Sequence, residues 1–163
     1  MKKTFGAQER HDQLLVYGKG KKAILIYGYG EENGQGYDWR HEFTHRPTKQ
    51  EVLHTIISHV NQLTDQKILN GFVWNDKPVY LSSENQFNFK TVYDIAVQTK
   101  GKNLPVKFKL GETESGTAVY HVFENMSGFA DFYTQATSFI MQTLNDGWTE
   151  KDAATEWVET LSI

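Results

Sequence analysis

The sequence predicts an α+β domain, an antiparallel meander and β-hairpins with three to four helices packed on one side. Three observations carry this. The β-rich runs are separated by short glycine or Asn-Asp turns, and connections that short join antiparallel neighbours. Each helical segment carries one apolar stripe at three- and four-residue spacing. No Pro- or Ser-rich linker and no internal repeat divides the 163 residues, a length that suits one domain or two small ones sharing a core.

Gln13–Tyr17 and Ala23–Tyr27 read as two strands around Gly18-Lys19-Gly20-Lys21-Lys22, where the glycines supply the positive φ of a hairpin tip. After the glycine-rich stretch Gly28 to Gly36, Tyr37, Trp39, His41 and Phe43 alternate with polar residues and complete a three-stranded meander. Thr48 with Glu51 forms a capping box that opens helix one, with Val52, Ile56, Val60 and Leu63 inward and Lys49, His59, Gln62 and Asp65 facing elsewhere. Phe72-Val73-Trp74 and Pro78–Leu81 make a second hairpin about Asn75-Asp76-Lys77, with Pro78 at a strand start. Ser83 with Gln86 opens a second helix, striped by Phe89, Val92, Tyr93, Ala96 and Val97 and stopped at Gly101. Leu104–Leu110 and Thr117–Phe123 form a third hairpin. From Ser127 to Asn145 the aromatics keep helical spacing, Gly147 reads as a terminator, and Thr149 with Asp152 caps a last short helix holding Trp157, Val158 and Leu161. The expected organisation is therefore a β-meander over residues 1–46 and a helix-hairpin-helix-hairpin-helix-helix segment over 47–163, together one compact unit.

Composition narrows the function. Seventeen Lys+Arg against twenty Asp+Glu give a net charge of −3, without the basic excess that a nucleic-acid partner requires. Cysteine is absent, which removes disulfides, cysteine-ligated metals and thiol catalysis. The longest apolar stretch, Ala23 to Tyr27, is far short of the roughly 20 residues that span a bilayer. The start Met1-Lys2-Lys3-Thr4-Phe5-Gly6 leads into polar residues and not a signal segment. A soluble protein made in the cytoplasm, with no membrane, nucleic-acid or cofactor partner, is expected.

Few residues are spaced for chemistry. Gly28-Tyr29-Gly30-Glu31-Glu32 follows a strand but leads into another strand, and its two acids would repel a phosphate. Gly18-Lys19-Gly20-Lys21-Lys22 lacks the spacing of a P-loop. His41 and His45, joined by Asp38, lie about 13 Å apart on a strand, and His54 and His59, five apart on a helix, point in different directions, so neither pair holds a metal. Ser82 and Ser83 lack a nucleophile elbow and read as helix caps. Glu42, Glu51, Glu84 and Asp94 are scattered acids with no evident acid–base pairing. The aromatics stand out, with 4 Trp, 8 Tyr and 10 Phe. Most belong to a core, yet Tyr29, Tyr37 and Trp39 crowd a glycine-rich region and are the candidate binding surface, for a protein or, alternatively, a small ligand or glycan.

A resemblance gives direction. The run Leu63-Thr64-Asp65-Gln66-Lys67-Ile68-Leu69-Asn70-Gly71-Phe72-Val73-Trp74-Asn75-Asp76-Lys77-Pro78-Val79-Tyr80-Leu81-Ser82-Ser83-Glu84-Asn85-Gln86-Phe87-Asn88-Phe89-Lys90, then Tyr93–Thr99 and Leu104–Phe108, resembles a family of uncharacterised proteins from phage and prophage tail modules, grouped under a domain of unknown function. The likeness runs from about Thr48 to Trp148. It implies a non-enzymatic structural, assembly or accessory protein that works through protein partners, with a second copy of the chain among them. The implied location is the cytoplasm of a bacterial host, with incorporation into a phage particle as one outcome. The family supplies no catalytic residues.

Overall fold

Two-residue turns set the strand pairing. In a computed structural model that describes residues 1–19 and 21–163, Asn33 and Gly34 have φ of 51° and 76°, and Asn75 and Asp76 have 48° and 60°. Successive positive φ values form the hairpin turn whose twist matches that of its strands. Gly18 (φ 61°) and Lys19 (φ 59°) sit at the first expected tip, of which Gly20 lies outside the described residues. The element order is β1 (Lys2–Phe5), β2 (Gln13–Tyr17), β3 (Lys22–Glu32), β4 (Gln35–Phe43), α1 (Lys49–Asn70), β5 (Phe72–Trp74), β6 (Lys77–Val79), α2 (Ser83–Gln98), β7 (Val106–Glu112), β8 (Ala118–Phe123) and α3 (Met126–Thr160). All strand pairs are antiparallel, and the class is α+β as expected.

The chain divides into two compact units, residues 1–61 with 148–163, and residues 62–147. Both α1 and α3 run across that division. A reading by consecutive segments, with its boundary at 46/47, does not produce such a partition.

The first unit holds a four-stranded sheet in the order β1-β4-β3-β2. The meander has one strand more than expected, because Lys2–Phe5 pairs with Tyr37–Arg40. The glycine-rich stretch is not a break between strands either. Both strands continue through it to the Asn33-Gly34 turn, and one bulge between Tyr27 and Gly30 absorbs the extra residue. Directly paired residues share a face, so Leu14–Leu25–His41, Val16–Ala23–Phe43 and Tyr27–Trp39 line one side. Ala23, Leu25, Tyr27 and Phe43 are buried there with Val52, Ile56 and Val60 of α1 and Ala154 and Val158 of α3. Helix α1 opens with the expected capping box, Thr48 N donating to Glu51 Oε2 at 2.8 Å and Glu51 N to Thr48 Oγ1 at 3.3 Å.

The second unit has two ribbons, β5–β6 and β7–β8, and Tyr80 N donates to Leu110 O at 2.8 Å. Its core is aromatic. Phe72, Trp74, Phe89, Phe123, Phe129 and Phe132 are buried together, Phe123 stacks on Phe129 at 4.6 Å, and Phe89 meets Phe132 edge-on at 5.0 Å. Each such pair adds about 0.5–1.5 kcal/mol beyond its buried area. Trp74 Nε1 finds its acceptor in Asp131 at 2.9 Å. The cap of α2 is Ser82, one residue earlier than expected, with its Oγ accepting from Asn85 N at 3.2 Å, while Gln86 donates to Leu81 O. Gly101 ends the turn after α2 at φ 80°, its N–H reaching Ala96 O at 2.7 Å.

Gly147 does not end a helix. Helix α3 runs unbroken over 35 residues, so the expected fourth helix capped by Thr149 and Asp152 is its last part. Glycine is required at 147 by a close approach: a Cβ there would lie 2.5 Å from Thr64 Oγ1 and 3.4 Å from its Cγ2. No helix among the described residues is long and apolar enough to cross a membrane.

Replacing a mid-helix glycine by alanine ordinarily gains about 1 kcal/mol, whereas forcing a methyl into a filled contact costs about 1–3 kcal/mol. Gly147→Ala is therefore expected to lower stability by about 1 kcal/mol in a denaturant titration. In Gly147→Ala/Thr64→Ala the loss disappears. Equal destabilisation in the presence and absence of Thr64→Ala would refute the contact.

Candidate functional site

The β1–β4 register sets Lys3 opposite Trp39 and Phe5 opposite Tyr37. An edge-to-face ladder results. Phe5 meets Tyr37 at 5.8 Å, Tyr37 meets Trp39 at 5.7 Å, and Trp39 meets His59 of α1 at 4.4 Å. Lys3 Nζ lies 4.2 Å from the Tyr37 ring centre and 3.1 Å from Glu32 Oε1. The ladder runs from a half-exposed ring into the core.

Tyr29 is not part of it. Gly30 pairs with Tyr37 and Glu31 with Gly36, and successive residues alternate faces. The Tyr29 ring packs where a Gly36 Cβ would stand, and its hydroxyl donates to Glu31 Oε1 at 2.8 Å. Tyr29 thus lies on the face opposite Tyr37 and Trp39. Of the three candidate binding residues the structure brings two together and separates the third.

His59 departs from expectation. It points inward, is 5% exposed, and has no partner for either ring nitrogen. Apolar burial, with the Met1 ammonium adding to it, pushes its pKa down to about 4. His41, on the same face of β4, is lowered by the same two causes in the same order. The partnerless imidazole is accommodated as a neutral ring against the Trp39 face. A flanking pattern of Ser58, Val60 and Asn61 gives no signal of this, because His59 sits beside the helical stripe of Val52, Ile56 and Val60.

A polar cluster closes the same unit. Arg10 Nη2 donates to Glu150 Oε1 at 2.6 Å and Arg10 Nε to Asp12 Oδ2 at 2.8 Å, while the Tyr27 hydroxyl donates to Glu150 Oε1 at 2.7 Å. Asp12 Oδ1 accepts from Gly28 N at 2.7 Å. Burial raises the Glu150 carboxyl, but the bonds from Arg10 and Tyr27 outweigh it and hold the group below its ordinary value. Each acid here is committed to a donor of the cluster, so the arrangement ties the segment before β2 to α3.

In the second unit an apolar groove of about 280 Å³ is lined by Leu81, Phe87, Phe89, Tyr133, Ile140 and Met141, with Gln86 and Lys90 at its margin. Phe87 is 67% exposed and Met141 47%. The amphipathic stripe of α2 did not predict this, because Phe87 falls outside it. Three other sequence candidates take local roles. Ser82 is a cap, Glu51 accepts from Thr48 and His45, and Asp94 accepts from Lys90. Among the described residues no group of three or more His, Asp or Glu is gathered as a metal site would need.

A histidine whose folded pKa lies below its unfolded value binds fewer protons when folded, so stability falls as pH drops. For His59 the window runs from its ordinary 6.5 down to about 4. Urea midpoints are expected to decline across that window, before the exposed carboxylates titrate. His59→Leu flattens the decline, and a slope unchanged by His59→Leu would show that another group is responsible. No family model, curated protein or solved structure matches this chain.

Proposed function

We propose that this chain is a non-enzymatic structural, assembly or accessory protein of a phage or prophage tail module, acting through protein–protein contacts. One observation carries the contact reading: large apolar side chains stand in solvent on regular elements, with Phe87 and Met141 flanking the groove of the second unit. Monomeric soluble proteins keep contiguous apolar patches small, and larger ones mark interaction sites. The clusters of ionisable groups support the same reading, since their members are engaged with one another in structural roles. The tail-module assignment itself rests on the resemblance over Leu63–Lys90, which contains the hairpin, the cap and the first turns of α2.

The small-ligand or glycan alternative is less well supported, because Tyr29 and the Tyr37–Trp39 pair occupy opposite faces and Trp39 is engaged edge-to-face with His59. A sugar platform needs rings that present one common surface.

In a host that produces particles, the chain is expected in purified particles or in tail assembly intermediates by mass spectrometry. The double variant Phe87→Glu/Met141→Glu, changed only at exposed positions, is expected to keep its melting temperature and lose that association. Particle yield and tail assembly indifferent to deletion of the gene, with the chain absent from every intermediate, would overturn the proposal.

A further inference from the structure

We infer that the free edge of β2 pairs antiparallel with the same edge of a second copy, joining two four-stranded sheets into one of eight strands. The inference names the self-partner of the contact reading above and rests on that reading only for its biological use. Leu15, Val16 and Tyr17 are 47%, 40% and 40% exposed. Successive strand residues point to opposite faces. Three consecutive exposed apolar residues therefore mark an uncovered edge and not an uncovered face.

Free edges are ordinarily blunted by lysine, proline, shortness or a bulge. Three of the other strands follow that rule: β1 carries Lys2 and Lys3, and β5 and β6 have three residues each, with Pro78 in β6. β8 has no lysine or proline of its own, but Lys107 of its bulged neighbour β7 covers the Tyr120 ring at 4.5 Å. β2 reads Gln-Leu-Leu-Val-Tyr and has none of these.

A second copy fits this edge better than an arbitrary strand. With no charge on β2, self-pairing brings no like charges together. Centring a two-fold axis on Leu15 sets Leu15 against Leu15 of the other copy and Leu14 against Val16, each pair on one face. The Leu14–Leu25 and Val16–Ala23–Phe43 rows then continue across the junction. The same axis directs the tip that carries Lys19 and Lys21 toward the end of the partner strand preceded by Glu9, Arg10 and Asp12, where Glu150 also sits, three acids against one arginine. Positive and negative ends therefore meet twice, once at each end of the junction.

The chain has no cysteine, so a single introduced thiol reports contact without background. Directly opposed residues on paired strands have Cβ atoms about 4.5–5.5 Å apart, close to disulfide reach. Leu15→Cys is expected to form a covalent dimer under mild oxidation, and Lys3→Cys, on the other edge, to remain monomeric. By sedimentation velocity the unmodified full-length protein is expected to dimerise with rising concentration, and Leu15→Lys to remain a monomer with an unchanged melting temperature. A protein monomeric up to roughly 1 mM, a dimer that persists in Leu15→Lys, or cross-linking at Lys3→Cys as fast as at Leu15→Cys would each overturn the inference. If Leu15→Lys abolishes particle association while the unmodified chain is monomeric alone, the edge receives a strand from another protein. Self-pairing then falls and the tail-module reading stands.

Discussion

Burial of one pleated face of the four-stranded sheet determines most of what is distinctive in the first unit. Leu25, Tyr27 and Phe43 go under α1 and the end of α3 together because the β3–β4 register puts paired residues on the same side. A slip of one residue would turn that whole row to solvent. Three further features follow from the same geometry. Trp39 is carried onto His59, Tyr29 is left on the far side of the bulge, and β2, outermost in the sheet, has a neighbour on one side only. The second unit solves the same problem differently. Its ribbons are too short to bury much as sheets, so rings from β5, β8, α2 and α3 interlock, and Trp74 reaches its polar partner Asp131 from inside that cluster.

What was legible in the sequence was what depends on neighbours along the chain. The Thr48–Glu51 box, the apolar stripes, the Asn75-Asp76 turn and the third hairpin are determined within a few residues, and the structure has each of them, except that Val97, expected in the α2 stripe, stands exposed. Features determined by distant residues were not legible. Lys2–Phe5 is too short and too basic to read as a strand, and becomes one through pairing with Tyr37–Arg40. Gly147 looks like a stop because glycine is a poor helix former, but the local cost is outweighed by the approach to Thr64. Ser82 and Ser83 are equally good caps in isolation, and the choice between them depends on where the β6 exit leaves the chain.

The candidate site divides along the same line. Aromatic crowding around the glycines was visible, and two of the three rings do form a pair. The separation of Tyr29 was not visible, because a single bulge residue reverses the facing of everything beyond it. His59 is the sharper case. Its position beside the apolar stripe is compatible with either a wet or a dry environment, and only the packing of Trp39 above it decides for the dry one. Once there, it has to be neutral, since a charged ring with no partner in an apolar setting is costly.

These features bear on how the chain does its work. Where its acids and bases cluster, they hold segments together: Arg10 and Tyr27 hold Glu150. Apolar side chains and the main chain of an edge strand are left open at the surface, and both are groups that another polypeptide can match. An edge without charge is a liability for a protein that must remain alone. For one that must be built into something larger, that edge and the Phe87–Met141 groove offer apolar surface from which water can be displaced.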